Sequence, residues 1–251
     1  RISHEEIQPN NQAPVAPSAI KAKASTWLKS GSTEVSSPRE LQSFEIANII
    51  EDFRQAAFNA KKAGFDMVEI HAANGYLIDQ FLRDSTNKRT DNYGGSIENR
   101  VRFLLEIIDA VSSIFPSNKI GCRVSPTSSF NDIYDSNPQN LFDFLAIELG
   151  KKGLVYLHAI EGQNGDDNFN FNKIYDLFKE NGGLTCMINR HEDKITESAD
   201  ADLMVFGIPF IANPDFVFRL EHNLPLNEAD SSTFYGGDEK GYTDYPFYQQ
   251  S

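Results

Sequence analysis

The sequence predicts an α/β protein with a parallel sheet, of the (β/α)8 TIM-barrel class. Short strands that are apolar on both faces alternate with amphipathic helices, which is typical of parallel strands covered by helices. No Gly-x-Gly-x-x-Gly follows a strand, so an open dinucleotide-binding sheet has no support. Polar side chains stand at the carboxyl ends of several strands, which is where a barrel carries its functional groups.

The first helix and strand are the clearest of the predicted elements. Apolar residues recur at helical spacing from Ile46 to Ala60, acidic residues come early and lysines late, and Gly64 suits the C-terminal cap. A strand over 66–71 follows. The same alternation predicts helices over 97–114, 141–149, 174–179, 192–198 and 214–220, and strands over 120–125, 154–160, 184–188 and 203–207.

About five βα units are predicted, all within residues 43–221. Residues 1–42 are rich in proline and predict a loop segment without strands, and residues 222–251 predict a C-terminal loop over the barrel mouth. Residues 1–251 are therefore expected to form a single domain, the C-terminal portion of a barrel. Five strands cannot close a barrel of eight, so we expect a homo-oligomer or a separate N-terminal barrel fragment to cover the open edges.

The composition excludes several classes of protein. The 251 residues are 40 % hydrophobic, as in globular proteins, and carry a net charge of −13, which disfavours binding to nucleic acids and anionic membranes. No apolar run approaches the ~20 residues that cross a bilayer. Cys122 and Cys186 lie in apolar runs without zinc spacing, which indicates buried thiols, no metal and a cytoplasmic location.

The strongest candidate site follows the first predicted strand. His71 and Asn74 are three residues apart on a turning loop, and both can donate hydrogen bonds to a carbonyl or phenolate oxygen. Tyr76 is close enough in the chain to deliver a proton. Taken alone the pattern is weak, because a histidine at a strand end is more often structural. The segment from Arg89 to Arg100, with its Gly-Gly turn, is interpreted as structural.

Together these segments resemble a known family. The stretch 68–82, followed by 87–100, is similar to the old yellow enzymes, the FMN-dependent ene-reductases. The similarity continues in 121–126, 210–215, 224–227, 233–237 and 241–246. The opening, residues 8–18, is similar to the branch of N-ethylmaleimide reductase and plant oxophytodienoate reductase. The resemblance covers essentially the whole chain.

The resemblance implies a fold, a reaction and a set of site residues. FMN would lie at the C-terminal mouth of a (β/α)8 barrel, be reduced by NAD(P)H, and pass hydride to an activated alkene such as an α,β-unsaturated carbonyl. His71 and Asn74 would bind the substrate carbonyl, and Tyr76 would protonate the α-carbon. Arg123 would contact the pyrimidine edge of the flavin, and Tyr235 would cover the substrate. This chain would contribute the fourth to eighth strands.

The phosphate site that the resemblance implies departs from the family pattern. Asn189 matches one form of the turn after the seventh strand, although Ile188 replaces a usual glycine. After the eighth strand, Gly207 is followed by Ile208 instead of arginine, which removes a charged hydrogen bond of roughly 1.5–3 kcal/mol. We hypothesise that Arg190 compensates; the alternative is an exposed arginine without this role.

Two other functions are considered. The chain could be a truncated or degenerate relative that has lost FMN and acts as a binding protein, which Ile188, Ile208 and the missing strands favour. It could also be a metal-dependent barrel hydrolase that uses His71, His158 and Glu161. His158 alternates with apolar neighbours on its strand, however, and is itself predicted to be a hydrogen-bonded core residue.

Overall fold

The structure, a computed structural model, describes residues 1–161, 168–189, 201–235 and 237–249. The predicted helix over 192–198, Arg190 with its proposed phosphate contact, and most of the loop that follows the third predicted strand lie outside these ranges. Within them, no helix is long and apolar enough to cross a membrane.

Residues 1–42 contain four short strands, so the prediction of a strand-free loop was wrong. Strand β1 (Val15–Ala16) and strand β4 (Arg39–Glu40) pair in parallel; β2 (Ser25–Leu28) and β3 (Gly31–Glu34) form an antiparallel hairpin. Hairpin residues alternate between exposed and half-buried, so neither strand shows an apolar face in the sequence. Backbone hydrogen bonds and cross-strand pairs such as Thr26 opposite Thr33 stabilise the hairpin.

A sheet of five later strands confirms the predicted α/β class. Its strands are β5 (Val68–Ala72), β6 (Ile120–Val124), β7 (Tyr156–Ile160), β8 (Thr185–Asn189) and β9 (Leu203–Val205), and their order in the sheet follows the chain. The pairs β5–β6 and β6–β7 are parallel. Each of the five predicted strands is therefore present, with ends that differ by at most two residues.

Seven α-helices are present among the described residues: α1 (Ser43–Lys62), α2 (Leu77–Leu82), α3 (Ile97–Ser112), α4 (Pro138–Lys151), α5 (Phe171–Glu180), α6 (Ile208–Ala212) and α7 (Phe216–Glu221). Helices α3, α4 and α5 begin with a side-chain N-cap. Ser96, Asn137 and Asn170 each accept a hydrogen bond from a backbone N–H of the following turn. Helices α2 and α6 were not predicted. Five of the six residues of α2 are buried, so it lacks the polar face on which an amphipathic pattern depends.

The two faces of the main sheet differ in chemistry. Successive side chains of a strand point to opposite faces. One set is apolar and buried in the core with residues of α3, α4 and α5; in β5 to β7 it comprises Ile70, Ala72, Cys122, Val124, Leu157 and Ala159. The alternate set is largely polar and comprises Glu69, His71, Gly121, Arg123, Tyr156, His158 and the apolar Ile160. The second face therefore carries the groups capable of chemistry.

The chain divides into two compact units. Among the described residues, the first holds 1–161, 168–188 and 201–203, and the second holds 189 and the described residues from 204 onward. In the second unit Arg219 donates to Asp215 and to the carbonyl oxygens of Pro225 and Pro246, which ties the C-terminal segment to α7. The single-domain assignment, and the place of residues 222–251 over a barrel mouth, stay predictions.

Candidate active site

The turn after β5 has an unusual backbone conformation. Hydrogen bonds with three other residues hold it in place. Asn74 and Gly75 both have positive φ, 58° and 70°. The backbone N–H of Asn74 donates to Ser125 Oγ at 2.8 Å, and its carbonyl accepts from Asn131 Nδ2 at 2.7 Å. The N–H of Gly75 donates to Asp79 Oδ2 at 3.0 Å. These bonds fix the direction in which the Asn74 side chain leaves the turn.

Gly75 is required by space as well as by its φ angle. A Cβ atom at this position would lie 2.8 Å from the Cβ of Asn131 and 2.8 Å from the carbonyl oxygen of Phe130. The loop between β6 and α4 therefore packs directly on the turn. A side chain at residue 75 would displace either this loop or Asn74.

His71 and Tyr76 are brought together, as the sequence predicts. Their ring centroids lie 5.7 Å apart. His71 is half-buried, and the Tyr76 side chain, just before α2, is exposed. Burial lowers the pKa of His71, as does the charge of Arg123, while Glu69 and Asp79 act in the opposite direction. His71 is therefore a neutral imidazole near pH 7, with one N–H to donate.

His71, Arg123 and His158 form a row across three strands. His71 is paired in register with Arg123, and Arg123 is paired with His158. The Nε of Arg123, the Oδ1 of Asn74 and the Nε2 of His158 are buried and have no hydrogen-bond partner among the described residues. Buried polar atoms normally have partners, so these atoms are candidates for contacts with a bound molecule or water.

Glu69 is the site-facing residue that sequence reasoning missed. Its carboxylate contacts His158 Nδ1 at 2.9 Å and accepts a hydrogen bond from the Tyr156 hydroxyl. Burial raises the pKa of Glu69, but the hydrogen bond and charge of His158 and the charge of Arg123 outweigh it, so the pKa is lowered overall. His158 is a buried, hydrogen-bonded residue, as predicted. The sequence does contain a signal for Glu69. It lies two residues before His71 on one strand, so both side chains point to the same face of the sheet.

Three predicted site residues lie in the second unit and are described there by themselves. Asn189 Nδ2 donates to the carbonyl oxygen of Val205 at 2.8 Å, which links the ends of β8 and β9. Gly207 immediately precedes α6 and has open space where a Cβ would stand. The side chain of Tyr235 is 97 % exposed. The cofactor and substrate roles of these residues stay predictions, as do those of His71, Asn74, Tyr76 and Arg123.

The segment from Arg89 to Arg100 is structural, as interpreted from the sequence. The guanidinium of Arg89 donates to Asp91 and to the carbonyl oxygens of Pro17 and Leu41. A Cβ on Gly94 would lie 2.3 Å from the Arg89 carbonyl oxygen, so the tight turn needs glycine there. The segment joins the N-terminal residues to the start of α3.

The metal-hydrolase hypothesis finds no support in the described residues. No group of three or more His, Cys, Asp or Glu side chains among them is arranged to hold a metal ion, so His71, His158 and Glu161 are not brought together as ligands. Cys122 and Cys186 are buried free thiols, as predicted. Burial raises the pKa of both.

Comparison with known proteins identifies the family. A family model described as the NADH:flavin oxidoreductase / NADH oxidase family matches residues 1–227. The chain belongs to this family. The resemblance to old yellow enzymes is thereby confirmed.

Individual relatives agree with this family assignment. The chain is 43 % identical over 263 residues to 12-oxophytodienoate reductase 1 of Oryza sativa subsp. japonica, covering 100 % of this chain and 67 % of the relative. It is 42 % identical over 240 residues to a Leishmania infantum protein described as a probable flavin mononucleotide-dependent alkene reductase, covering 93 % and 66 %. A solved structure of morphinone reductase in complex with tetrahydroNAD is 44 % identical with a TM-score of 0.90, covering 98 % and 70 %.

These relatives decide between the functions considered from the sequence. All three carry the name of a reductase, and they give no support to a non-catalytic relative that has lost FMN. The chain spans about two thirds of the length of the relatives that it matches.

Proposed function

We propose that the chain carries the substrate-binding side of an FMN-dependent oxidoreductase, which uses NAD(P)H to reduce activated alkenes such as α,β-unsaturated carbonyl compounds. The observation that carries the proposal is the grouping of His71, Asn74, Tyr76 and Arg123 around the ends of β5 and β6. Family membership and the names of the relatives support the cofactor and the reaction class.

The residues present fit a flavin. The Nε of Arg123 is buried without a partner among the described residues, on the polar face of the sheet. A cation there suits the edge of a ring system that gains negative charge on reduction. In the second unit, Asn189 and Gly207 are proposed to hold the phosphate end. FMN, when bound, supplies the hydride-transfer chemistry, with NAD(P)H as the reductant.

The protein's own residues bind the substrate and move the proton. We assign to His71 and Asn74 the binding of the carbonyl oxygen, since hydrogen bonds to this oxygen draw electrons from the alkene and make the β-carbon electrophilic. The hydroxyl of Tyr76, whose ring lies 5.7 Å from that of His71, gives its proton to the α-carbon. Tyr235, with its exposed ring, is proposed to cover the substrate.

The proposal extends to the assembly. We take the five strands of the main sheet as the fourth to eighth of a barrel, completed by a separate N-terminal barrel fragment or by association between copies. In support, β5 lies at one edge of the main sheet, and no described strand pairs with its outer side. A cytoplasmic location belongs to the same proposal, and the free thiols are compatible with it.

A visible absorption spectrum tests the function. The purified chain is mixed with excess FMN and desalted; a retained flavin spectrum should be bleached by NADPH and restored by 2-cyclohexen-1-one. The variant Tyr76→Phe should still bleach but recover more slowly by about 10²–10⁴-fold, the usual contribution of a positioned acid. The matched variant Tyr134→Phe, at an exposed tyrosine, should behave as the unchanged chain.

Two results would contradict the proposal. A colourless chain that takes up no FMN, with or without an N-terminal barrel fragment of a relative, would mean that it is not a flavin enzyme. Equal recovery rates for Tyr76→Phe and Tyr134→Phe in a flavin-loaded protein would remove Tyr76 from the proton transfer.

A further inference from the structure

Glu69 lies on the polar face of the sheet, directly before the candidate site. It precedes His71 by two residues on β5, so the two side chains leave the same face about 7 Å apart along the strand. Its partner in register on β6 is Gly121, and Arg123 is its diagonal neighbour. The side chain of Glu69 is only 30 % exposed. A partly buried carboxylate therefore stands one row from the groups proposed to bind substrate and flavin.

The carboxylate has two partners on the strand that lies beyond β6. His158 Nδ1 is 2.9 Å from Glu69 Oε2, and the hydroxyl of Tyr156 donates a hydrogen bond to the carboxylate. Glycine at residue 121 allows Tyr156 to approach Glu69 across β6, because a Cβ at this position would lie 2.0 Å from Cε2 of Tyr156. The Glu69 side chain thus spans β6 and joins β5 to β7 across the polar face.

We propose that Glu69 is a positioning residue of the active site: it holds His158 in place across β6 and offsets the positive charge of Arg123, and so sets the electrostatic environment of His71 and of the proposed flavin edge. This inference rests on the proposed function, because it gives Arg123 and His71 their roles there. Glu69 itself is not required to contact substrate or flavin.

The charges around His71 support the role of Glu69. Arg123 faces His71 from β6 and His158 faces it from β7, and both lower the pKa of His71 together with burial. Glu69 on the same strand and Asp79 on α2 oppose them. The Tyr76 ring completes the surroundings. If the Glu69 charge is removed, less negative charge remains near His71 to offset the two basic groups, Arg123 and His158.

Histidine side-chain NMR tests the proposal without any cofactor. In Glu69→Gln, which keeps the shape of the side chain but removes its charge, the pKa of His71 should fall, and the ring signals of His158 should change position because its hydrogen-bond partner is altered. At a given pH the ratio of protonated to neutral His71 should drop at least about tenfold, since unit charges about 7 Å apart at an effective dielectric constant of ~20 interact by more than the roughly 1.4 kcal/mol that corresponds to a factor of ten. His71→Gln and His158→Gln assign the two signals.

Two further variants separate charge from packing. Glu180→Gln removes the same charge at the exposed C-terminal end of α5 and should leave the titration of His71 unchanged. Glu69→Asp keeps the charge on a shorter side chain; His71 should then titrate nearly as in the unchanged chain, while the ring signals of His158 change position. If Glu69→Gln lowers the melting temperature but does not move the titration of His71, the role of Glu69 is merely structural and the proposal is wrong.

The reduction potential of the flavin-loaded protein gives a second readout. Without the Glu69 charge, Arg123 should stabilise the reduced anionic flavin more strongly, so the potential of Glu69→Gln should become more positive. An unchanged potential would overturn the charge-balancing part of the proposal. If the chain takes up no flavin, the proposed function fails instead. The titration of His71 still decides whether Glu69 acts on His71.

Discussion

The carboxylate of Asp79 accepts the backbone N–H of Gly75 at 3.0 Å. The same carboxylate pairs with Arg83 at 2.7 Å, and both side chains are almost completely buried. Arg83 in turn donates to the carbonyl oxygen of Ser125 at 2.6 Å, just beyond the end of β6. One buried ion pair therefore joins the turn that carries Asn74 to the neighbouring strand end.

We expect Asp79→Asn to destabilise the chain by about 3–5 kcal/mol, because Arg83 would remain buried without its counter-ion. Asp52→Asn, at an exposed position on α1, should change stability by less than about 0.5 kcal/mol. Urea unfolding followed by circular dichroism measures both. Similar midpoints for the two variants would show that the ion pair contributes little to stability.

Gly75→Ala should be more costly than Gly64→Ala. Both glycines have positive φ, 70° and 91°, so each alanine costs roughly 1–2 kcal/mol of backbone strain. Gly64 has nothing within 4 Å of the added Cβ, whereas Gly75 meets Asn131 and the Phe130 carbonyl at 2.8 Å. The difference between their free energies of unfolding isolates the close contact. Equal free energies of unfolding for the two variants would mean that the loop after β6 moves aside without a measurable cost in stability.

The parallel sheet could be predicted from sequence because its strands and helices have strong local patterns. Strands β5 to β7 are short and carry buried apolar residues at alternate positions, and α3 shows its buried residues at helical spacing. The β2–β3 hairpin and α2 lack such patterns for opposite reasons. Neither hairpin strand has a buried face, while α2 is buried on nearly every side.

The site could be predicted only in part. His71, Asn74 and Tyr76 are neighbours in the chain, so their proximity follows from one local turn. The pairing of Glu69 with His158 joins residues 89 apart and depends on the register of three strands. Local pattern does not determine register between distant strands. His158 could therefore be predicted as a hydrogen-bonded residue without its partner.

Protonation of Asp91 should destabilise the folded chain at acidic pH. Hydrogen bonds from Arg89 lower the pKa of Asp91 from 3.8 to about 2, although burial opposes them. A lowered pKa means that the stabilisation is complete above 3.8 and is lost as the pH falls towards 2. With solvent screening we expect about 1 kcal/mol. Asp91→Asn should remove this part of the pH dependence between 4 and 2, measured by urea unfolding, whereas the exposed Asp66→Asn should not.

The two cysteines should be unreactive in the folded chain. Cys122 and Cys186 are buried, and burial raises the pKa of both, that of Cys186 to about 12. Since the thiolate is the reacting form, a chromogenic disulfide reagent at pH 8 should label neither. In denaturant it should titrate two thiols per chain. Fast labelling of the native protein would indicate local opening of β6 or β8.

Gly121→Ala tests the close approach of Tyr156 to β6. The added Cβ would meet the tyrosine ring at about 2.0 Å, so the ring must move, and overpacking of this kind costs about 1–3 kcal/mol. Tyr156→Ala alone removes the ring and its hydrogen bond to Glu69. In the double variant the clash is absent, so its loss of stability should be smaller than the sum of the single losses. Additive losses would show that the sheet accommodates the methyl group without moving Tyr156, and that Gly121 is not needed for the reach of Tyr156 to Glu69.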